Sequence, residues 1–123
     1  LRILVGEKKE RKGVRLELLQ VICGAPLTPC AAVKLKIGGK EEKNFAFGNG
    51  PADAAFRAID KIVKKKIHLE EYLVQAVTGG SDDVGKVHIQ IRHKNQIYYG
   101  FGADTDIVVA SAKAYLDALN KII

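Results

Sequence analysis

A glycine-rich corner is the stretch of this sequence whose residue types are best suited to binding a ligand. Phe47-Gly48-Asn49-Gly50-Pro51 is typical of a strand end, a tight turn and the start of an amphipathic helix. Gly48 and Gly50 would allow backbone angles closed to other residues and let a ligand approach the main chain. Pro51 suits the first helical position, so the N–H groups that follow it would face an anionic group at the positive end of the helix dipole.

The chain builds this corner twice. Three segments recur at spacings of 54 or 55 residues: Leu18–Gly24 as Leu73–Gly79, Val33–Ile37 as Val87–Ile91, and Phe45–Gly48 as Tyr99–Gly102. Each copy reads as three short strands followed by a helix. The sequence therefore predicts an α+β fold of duplicated βββα units with pseudo-twofold symmetry, in which small antiparallel sheets pack on two helices.

The predicted elements follow hydrophobic periodicity and turn residues. In the first unit they are strands at Val14–Cys23, Ala31–Ile37 and Lys43–Phe47, a loop at Gly24–Pro29, a hairpin at Gly38–Lys40, and a helix at Pro51–Lys66. Its buried face would comprise Ala52, Ala55, Phe56, Ile59, Ile62 and Val63. A second helix would follow capping residues at Asp104–Asp106, burying Ile107, Val108, Ser111, Ala114, Tyr115, Ala118, Leu119 and Ile122. We expect one unit at about 14–67 and the other at about 68–123.

The first thirteen residues differ from the rest. Leu1–Val5 fits a short strand or a linker end, and Gly6–Gly13 is strongly charged. Because the sequence begins without Met and directly with an apolar run, we expect 1–13 to be a connector from an upstream catalytic domain.

The formal net charge of +6 at pH 7 raises the question of nucleic-acid binding. Much of the excess lies in Lys8–Lys12 and Lys61–Lys66, which are typical of a polar connector and a helix end. Neither cluster is interleaved with aromatic side chains for base stacking. The sequence therefore argues against nucleic acid, and a basic RNA-binding module stays a distant alternative.

The two cysteines and the lack of long apolar runs bear on the cell compartment. Cys23 and Cys30 lie seven residues apart without a partner motif, which favours reduced thiols over a disulfide framework and leaves their role open. No apolar run approaches the roughly 20 residues that span a bilayer. We expect a cytoplasmic protein that does not enter a membrane.

No catalytic or metal-binding pattern is found in the sequence. His68, His88 and His93 fit no metal-ligand spacing, and Gly48–Gly50 lacks the third glycine or the GK[ST] of a nucleotide loop. The acidic clusters Ser81–Asp83 and Asp104–Asp106 are explained by capping. We expect no catalytic residue, no metal and no cofactor in this segment.

The two predicted helix starts would suit a zwitterionic ligand, such as an amino acid. One helix start would hold a carboxylate, and an ammonium group would need glycine-turn carbonyls, Asp104 or Asp106. Apolar walls would come from one face of the fourth strand, with Tyr72, Val74 and Ala76 on it and Leu69 just before it.

Three ordered motifs resemble one known family. Gly48–Phe56, Val74–Asp82, and Gly102–Val108 with Ala110–Tyr115 are similar to the C-terminal regulatory domain of 2-isopropylmalate synthase, a domain shared with citramalate synthases. The resemblance covers nearly all of the chain from about Val14. It implies a homodimeric allosteric module that binds the end product leucine and inhibits its own catalytic barrel. That barrel would condense acetyl-CoA with a 2-oxo acid using a divalent metal.

The resemblance also implies where the effector binds. In the family the inhibitor lies at the dimer interface, and the matching positions here are Gly48, Asn49, Gly50, Pro51, Ala52, Leu69, Tyr72 and Ala76. Ala52 stands where the family often has a larger apolar residue, which leaves the pocket volume open. Two alternatives remain beside leucine sensing: the same domain from a citramalate synthase, sensing isoleucine, and a purely structural dimerisation module.

Overall fold

The protein has two copies of a strand–strand–strand–helix unit. The computed structural model describes residues 13–24, 27–77 and 84–122. Its elements are β1 (Val14–Gly24), β2 (Leu27–Ile37), β3 (Lys40–Phe47), α1 (Pro51–Val63), β4 (His68–Val77), β5 (Val84–His93), β6 (Gln96–Asp104) and α2 (Ile107–Leu119). The predicted α+β fold of duplicated βββα units is confirmed. The interpretations of residues 1–12, of the Cys23 side chain and of Ser81–Asp83 lie outside what the structure describes.

Each unit forms its own three-stranded antiparallel sheet, in the order β1-β2-β3 and β4-β5-β6. Two-residue turns join the second and third strands, with Ile37 paired to Lys40 and His93 paired to Gln96. The first turn uses Gly38 and Gly39 at φ of 57° and 90°, as predicted for a hairpin. The second turn places Lys94 and Asn95 in the same left-handed region, at φ of 52° and 65°.

The two helices and the inner faces of both sheets share one core. The inner faces contribute Val33, Leu35, Val87, Ile89 and Ile91, and the helices contribute Phe56, Ile59, Tyr115, Leu116 and Leu119. α1 lies over β2 and β3, while α2 lies over β5 and β6. Both helices bury more than the predicted faces, and the additional buried residues are Ala54, Ala58, Ala110, Ala112 and Leu116. Ala54 is buried against Ala31 of the first sheet.

Small residues allow the helices to approach the third strand of each sheet closely. A Cβ atom on Gly48 would lie 2.5 Å from the backbone nitrogen of Ala54 in α1. Cβ atoms on Gly100 and Gly102 would overlap the backbone of α2 at Ala114 and Ala110. Glycine is therefore required at these three positions for the helices to pack on the sheets.

Helix side chains cover the outer edge strands. Lys61 of α1 donates to the carbonyl oxygen of Phe45 in β3 over 3.0 Å, and Lys121, just beyond α2, donates to that of Tyr99 in β6. Asp117 of α2 accepts the N–H of Phe101 over 3.0 Å. These contacts satisfy edge groups that would otherwise invite pairing with another chain.

Three predicted boundaries were wrong. The loop predicted at Gly24–Pro29 overlaps β2, which already begins at Leu27. β3 begins at Lys40 and not Lys43, because the tight hairpin brings its first residues into register. α1 ends at Val63 and not Lys66, because Lys64 adopts a left-handed conformation at φ 61° and its N–H bonds to the carbonyl of Asp60.

Candidate functional site

The predicted glycine corner links β3 to α1. The Gly48 N–H donates to the carbonyl of Pro29 over 3.0 Å, and the Ala54 N–H donates to the carbonyl of Gly50 over 2.9 Å. Pro51 is the first helical residue, as predicted, and no side chain caps this helix start. The N–H groups of the first turn therefore lack the side-chain oxygen that usually receives them.

The predicted backbone role of the two glycines was wrong. Neither Gly48 nor Gly50 is among the described residues with positive φ, and Gly50 is extended at φ −162°. Gly48 is required because α1 passes too close for a Cβ atom. Gly50 has open space instead, because a Cβ atom there would meet nothing within 4 Å. The open side of the corner is therefore at Gly50.

Asp53 stabilises the corner from within the first turn of α1. Its carboxylate accepts the N–H of Asn49 over 2.9 Å and the Nε–H of Arg57 over 2.8 Å. An acidic side chain here suits the helix dipole. Since Arg57 is paired with it, the negative charge beside the helix start is partly balanced.

The second corner is capped by its own side chains, as predicted. Asp106 precedes α2 and accepts from the N–H groups of Val108 and Val109, over 2.8 and 3.4 Å. Asp104 accepts from the N–H of Asp106 over 2.9 Å and from Lys113 over 3.0 Å. The bond from the Asp106 N–H lowers the pKa of Asp104, and the bond from Lys113 lowers it further. Both carboxylates are thus engaged within the chain, so the two corners differ in what they can offer a ligand.

The predicted apolar wall on β4 faces the helices and is only half covered. Leu69, Tyr72 and Val74 pair with Ile91, Ile89 and Val87, which are all buried on the helix side. A bulge at Glu70 brings Leu69 and Tyr72 onto one face although they are three residues apart. The three side chains remain 37–40% exposed, because α2 covers β5 and β6 and leaves β4 at the edge. Ala76 continues the same alternation, and its side chain lies outside the described residues.

Tyr72 reaches both helices from this edge strand. Its hydroxyl lies 2.7 Å from the Ser111 hydroxyl on α2. Its ring meets Phe56 of α1 edge to face, with ring centroids 5.7 Å apart. Phe56 in turn stacks on Tyr115 of α2 at 4.7 Å. Phe56 belongs to the helix that starts at Pro51, so one helix joins the corner to the β4 wall.

A partly buried polar pair joins the two helices. The Tyr115 hydroxyl donates to the Asp60 carboxylate over 2.5 Å. Burial raises the pKa of Asp60 to about 6, although the bond from Tyr115 and the nearby Arg57 charge oppose this. Burial and the Asp60 charge also raise the pKa of Tyr115. The sequence did not predict this pair. Its separation of 55 residues equals one of the two repeat spacings, so the two residues lie at similar positions in the two copies of the unit.

Two shallow concavities lie on the outer sheet faces, away from the predicted site. One of about 370 Å³ is lined by residues that include Leu73, His88, Tyr99 and Phe101. The other, of about 560 Å³, is lined by residues that include Leu18, Ala32, Lys34 and Phe45. Neither contains a predicted effector residue.

The histidines and cysteines show no metal site within the described ranges. There, no three His, Cys, Asp or Glu side chains come together as metal ligands. His88 packs against Phe101, and His68 lies 3.3 Å from Glu70. Cys30 is a free, half-buried thiol on the outer face of the first sheet, and so it is less buried than a core residue. In the part of the chain that the structure describes, neither helix is long and apolar enough to cross a membrane.

The fold and site define a class of protein. A duplicated βββα domain carries an uncapped helix corner and a half-covered wall of an edge strand, joined through its paired helices. This combination describes a small α+β module with an uncapped helix start and a partly exposed apolar edge strand.

Comparison of the sequence with known protein families and proteins identifies the family. The chain belongs to the LeuA allosteric (dimerisation) domain family, whose profile matches residues 2–123. Proteins named 2-isopropylmalate synthase from Picosynechococcus and Synechocystis are 50% and 49% identical over 109 residues, covering 88% of this chain. One from Parabacteroides distasonis is 41% identical over 98% of the chain. The chain spans only 20–25% of the length of these relatives.

Proposed function

We propose that this chain is the leucine-binding regulatory domain of a 2-isopropylmalate synthase and acts as a homodimer. The observation that carries the proposal is the match of residues 2–123 to a family described as an allosteric and dimerisation domain. The names of the full-length relatives supply the enzyme. Feedback by the end product of leucine biosynthesis then follows from the resemblance already described.

The proposed effector site combines the first corner with the β4 wall. It comprises Gly48, Asn49, Gly50, Pro51, Ala52, Leu69, Tyr72 and Ala76. Three observations support it: the uncapped start of α1, the open space at Gly50, and the exposed apolar surface of Leu69 and Tyr72. An uncapped helix start suits the carboxylate of an amino acid, and the wall suits a branched aliphatic side chain. Asp104 and Asp106 are left out of the proposal because capping and Lys113 engage them.

A second chain would complete this site. The wall of β4 is open on the side that α2 does not cover, and an open apolar wall does not enclose a ligand. Enclosure by a partner is how a dimer interface would gain most of the ligand contact area. Leucine would then favour the arrangement of the two chains that closes the site, by its differential affinity for that arrangement.

The catalytic part of the enzyme would lie in the remainder of the full-length protein. We propose that its barrel condenses acetyl-CoA with a 2-oxo acid using a divalent metal, and that the effector signal reaches it through the connector before Val14. A cytoplasmic location accords with such a biosynthetic enzyme.

Calorimetric titration with leucine, isoleucine and valine tests the proposal. We expect saturable leucine binding, with one ligand per site and weaker binding of the other two. Preference for isoleucine would instead support a citramalate synthase. If a confirmed dimer bound none of the three, the domain would be a dimerisation module without a ligand.

A further inference from the structure

The outer face of the first sheet exposes large apolar side chains beside several lysines. It is made by the side chains of β1, β2 and β3 that point away from the helices. The large apolar ones are 47–60% exposed, and they are Leu18 and Ile22 of β1 and Phe45 and Phe47 of β3. Leu18, Ala32 and Phe45 also line the concavity of about 560 Å³ on this face. Neighbouring exposed apolar side chains of this kind are typical of a surface that binds another molecule.

Three lysines lie around Phe45 and make this face positively charged. Lys34 and Lys43 stand directly opposite each other in the pairing of β2 with β3, where like charges repel. Glu41 lies 3.3 Å from Lys34, whereas Lys43 has no carboxylate partner among the described residues. The Lys61 ammonium group is 5.5 Å from the centre of the Phe45 ring. A partner surface that combines apolar side chains with carboxylates would complement this face.

The second sheet does not repeat this arrangement. In the strand pairing, the row that contains Leu73 corresponds to the row of Lys34 and Lys43 in the first sheet. It has His88 and Phe101 in place of the two lysines, and their rings pack against each other at 5.0 Å. The two outer faces share a fold but differ in charge, so the basic apolar face is a property of the first sheet alone within the described residues.

The remainder of the full-length protein is a partner within reach of this face. The chain spans only 20–25% of the length of its relatives. The proposed connector, residues 1–13, measures at most about 45 Å when fully extended, so it keeps that remainder near Val14 at the start of β1. Tethering raises the effective concentration of a partner, so a contact of modest area suffices. Interfaces between domains of one chain are also more polar than permanent subunit interfaces, which fits a face that mixes lysines with aromatic side chains.

The strand edge beside this face is closed, so a partner meets the face itself and does not add a strand. Lys61 covers the β3 edge by donating to the carbonyl oxygen of Phe45 over 3.0 Å. At its end, β3 leads directly from Phe47 into the corner at Gly48. A partner docked on this face would therefore lie next to the corner of the proposed effector site.

We propose that the outer face of the first sheet docks against the remainder of the full-length enzyme, through a surface there that is apolar and carries carboxylates. The inference rests on the proposed function, because that enzyme supplies the partner. Leu18 and Phe45 are buried by the contact, and Lys43 gains a carboxylate partner. The face thus holds the regulatory domain against the part of the enzyme that it regulates.

The thiol of Cys30 reports on this contact. Cys30 is a half-buried free thiol in the same face, and its strand partners are Ile22 on one side and Phe47 on the other. Its alkylation by iodoacetamide is followed by mass spectrometry in the 123-residue chain and in the full-length enzyme that contains it. We expect the rate to be about 10-fold lower in the full-length enzyme, which corresponds to a docking free energy of about 1.4 kcal/mol.

Two double variants of the full-length enzyme test which face is covered. Leu18→Ser with Phe45→Ser removes apolar surface from the proposed contact, and should bring the rate to within about twofold of that in the 123-residue chain. Leu73→Ser with Tyr99→Ser is the matched control, because these side chains are 48% and 61% exposed on the outer face of the second sheet. The control should keep the full protection of Cys30.

A charge reversal tests the chemistry of the partner without removing apolar surface. Lys43→Glu would place a carboxylate opposite the carboxylates of the partner, and should reduce the protection of Cys30 by about threefold or more. Lys86→Glu, at an exposed position on the outer face of the second sheet, should leave it unchanged. Equal protection in the two variants would contradict a carboxylate-bearing partner.

The outcomes distinguish this inference from the proposed function. Equal alkylation rates in the 123-residue chain and the full-length enzyme would show that the face is open, and would overturn the docking. A rate in the 123-residue chain that falls with rising protein concentration would show that a second copy covers the face, and would overturn it as well. None of these rates depends on leucine, so a failure of leucine binding would reject the proposed effector while the protection of Cys30 still decides the docking.

Discussion

The Asp60–Tyr115 pair makes the stability of the fold depend on pH in an unusual direction. Burial raises the pKa of Asp60 from 3.8 to about 6, so the folded state binds this proton more tightly than the unfolded state. A raised carboxyl pKa destabilises the fold at pH values above the folded pKa. Stability from this group therefore increases as the pH falls from about 7 toward 4, opposite to the usual behaviour of a carboxylate.

Asp60→Asn removes this ionisation and keeps an oxygen that can accept from Tyr115. One pKa unit corresponds to about 1.4 kcal/mol, so the full shift would be about 3 kcal/mol. Because the carboxyl is not completely buried, solvent screening reduces this to roughly 1–2 kcal/mol. We expect the variant to be more stable than the wild type at pH 7.5 by about that amount, and the difference to vanish near pH 4.

Urea unfolding at several pH values, at one fixed protein concentration because the fold is proposed to be dimeric, measures this difference. Subtracting the wild-type curve cancels the contributions of all other groups. Glu42→Gln, at an exposed carboxylate on β3, controls for the loss of one negative charge. A difference that stays constant between pH 4 and 7.5 would show that ionisation of Asp60 does not destabilise the fold, as would a variant less stable than the wild type at pH 7.5.

Three further changes test the fold. Asp106→Ala removes the cap of α2 and should cost about 1 kcal/mol in urea unfolding, with Thr105→Val, at an exposed position beside it, as a near-neutral control. Gly102→Ala forces a Cβ atom into the backbone of α2 and should cost about 1–3 kcal/mol, whereas Gly50→Ala, where space is open, should cost much less. Lys64→Gly relieves a left-handed residue at φ 61° and should raise the thermal midpoint by stabilising the fold by about 0.5–1 kcal/mol, and a lowered midpoint would contradict this.

The fold could be predicted because both repeats have the same clear periodicity. Val33, Leu35 and Ile37 alternate with lysines, and Val87, Ile89 and Ile91 repeat that pattern, so each pair of strands has one buried face. The corner at Pro51 and the cap at Asp106 followed from local rules for helix starts. These features depend on neighbours within a few residues, which is what a sequence displays.

The features that the sequence did not predict depend on contacts between residues far apart in the chain. The bond from Tyr115 to Asp60 spans 55 positions, and the bond between Tyr72 and Ser111 spans 39. A signal was present for Ser111, which is a polar residue on an otherwise apolar helix face. Asp60 gave none, because it shares the polar side of α1 with Asp53 and Arg57. The bulge that aligns Leu69 with Tyr72 had no sequence signal of its own. The need for glycine at 48 likewise arises from the distance between β3 and α1 and not from backbone angles.

Calorimetry on a matched pair of variants tests whether leucine binds at the first corner. Gly50→Val places a branched side chain in the open space of the corner, at an extended backbone that accepts it. Thr105→Val makes a change of the same kind beside the second helix start. We expect the wild type and Thr105→Val to bind leucine alike, and Gly50→Val to remain folded and dimeric but to lose leucine binding. Unchanged leucine affinity in a folded Gly50→Val dimer would contradict it.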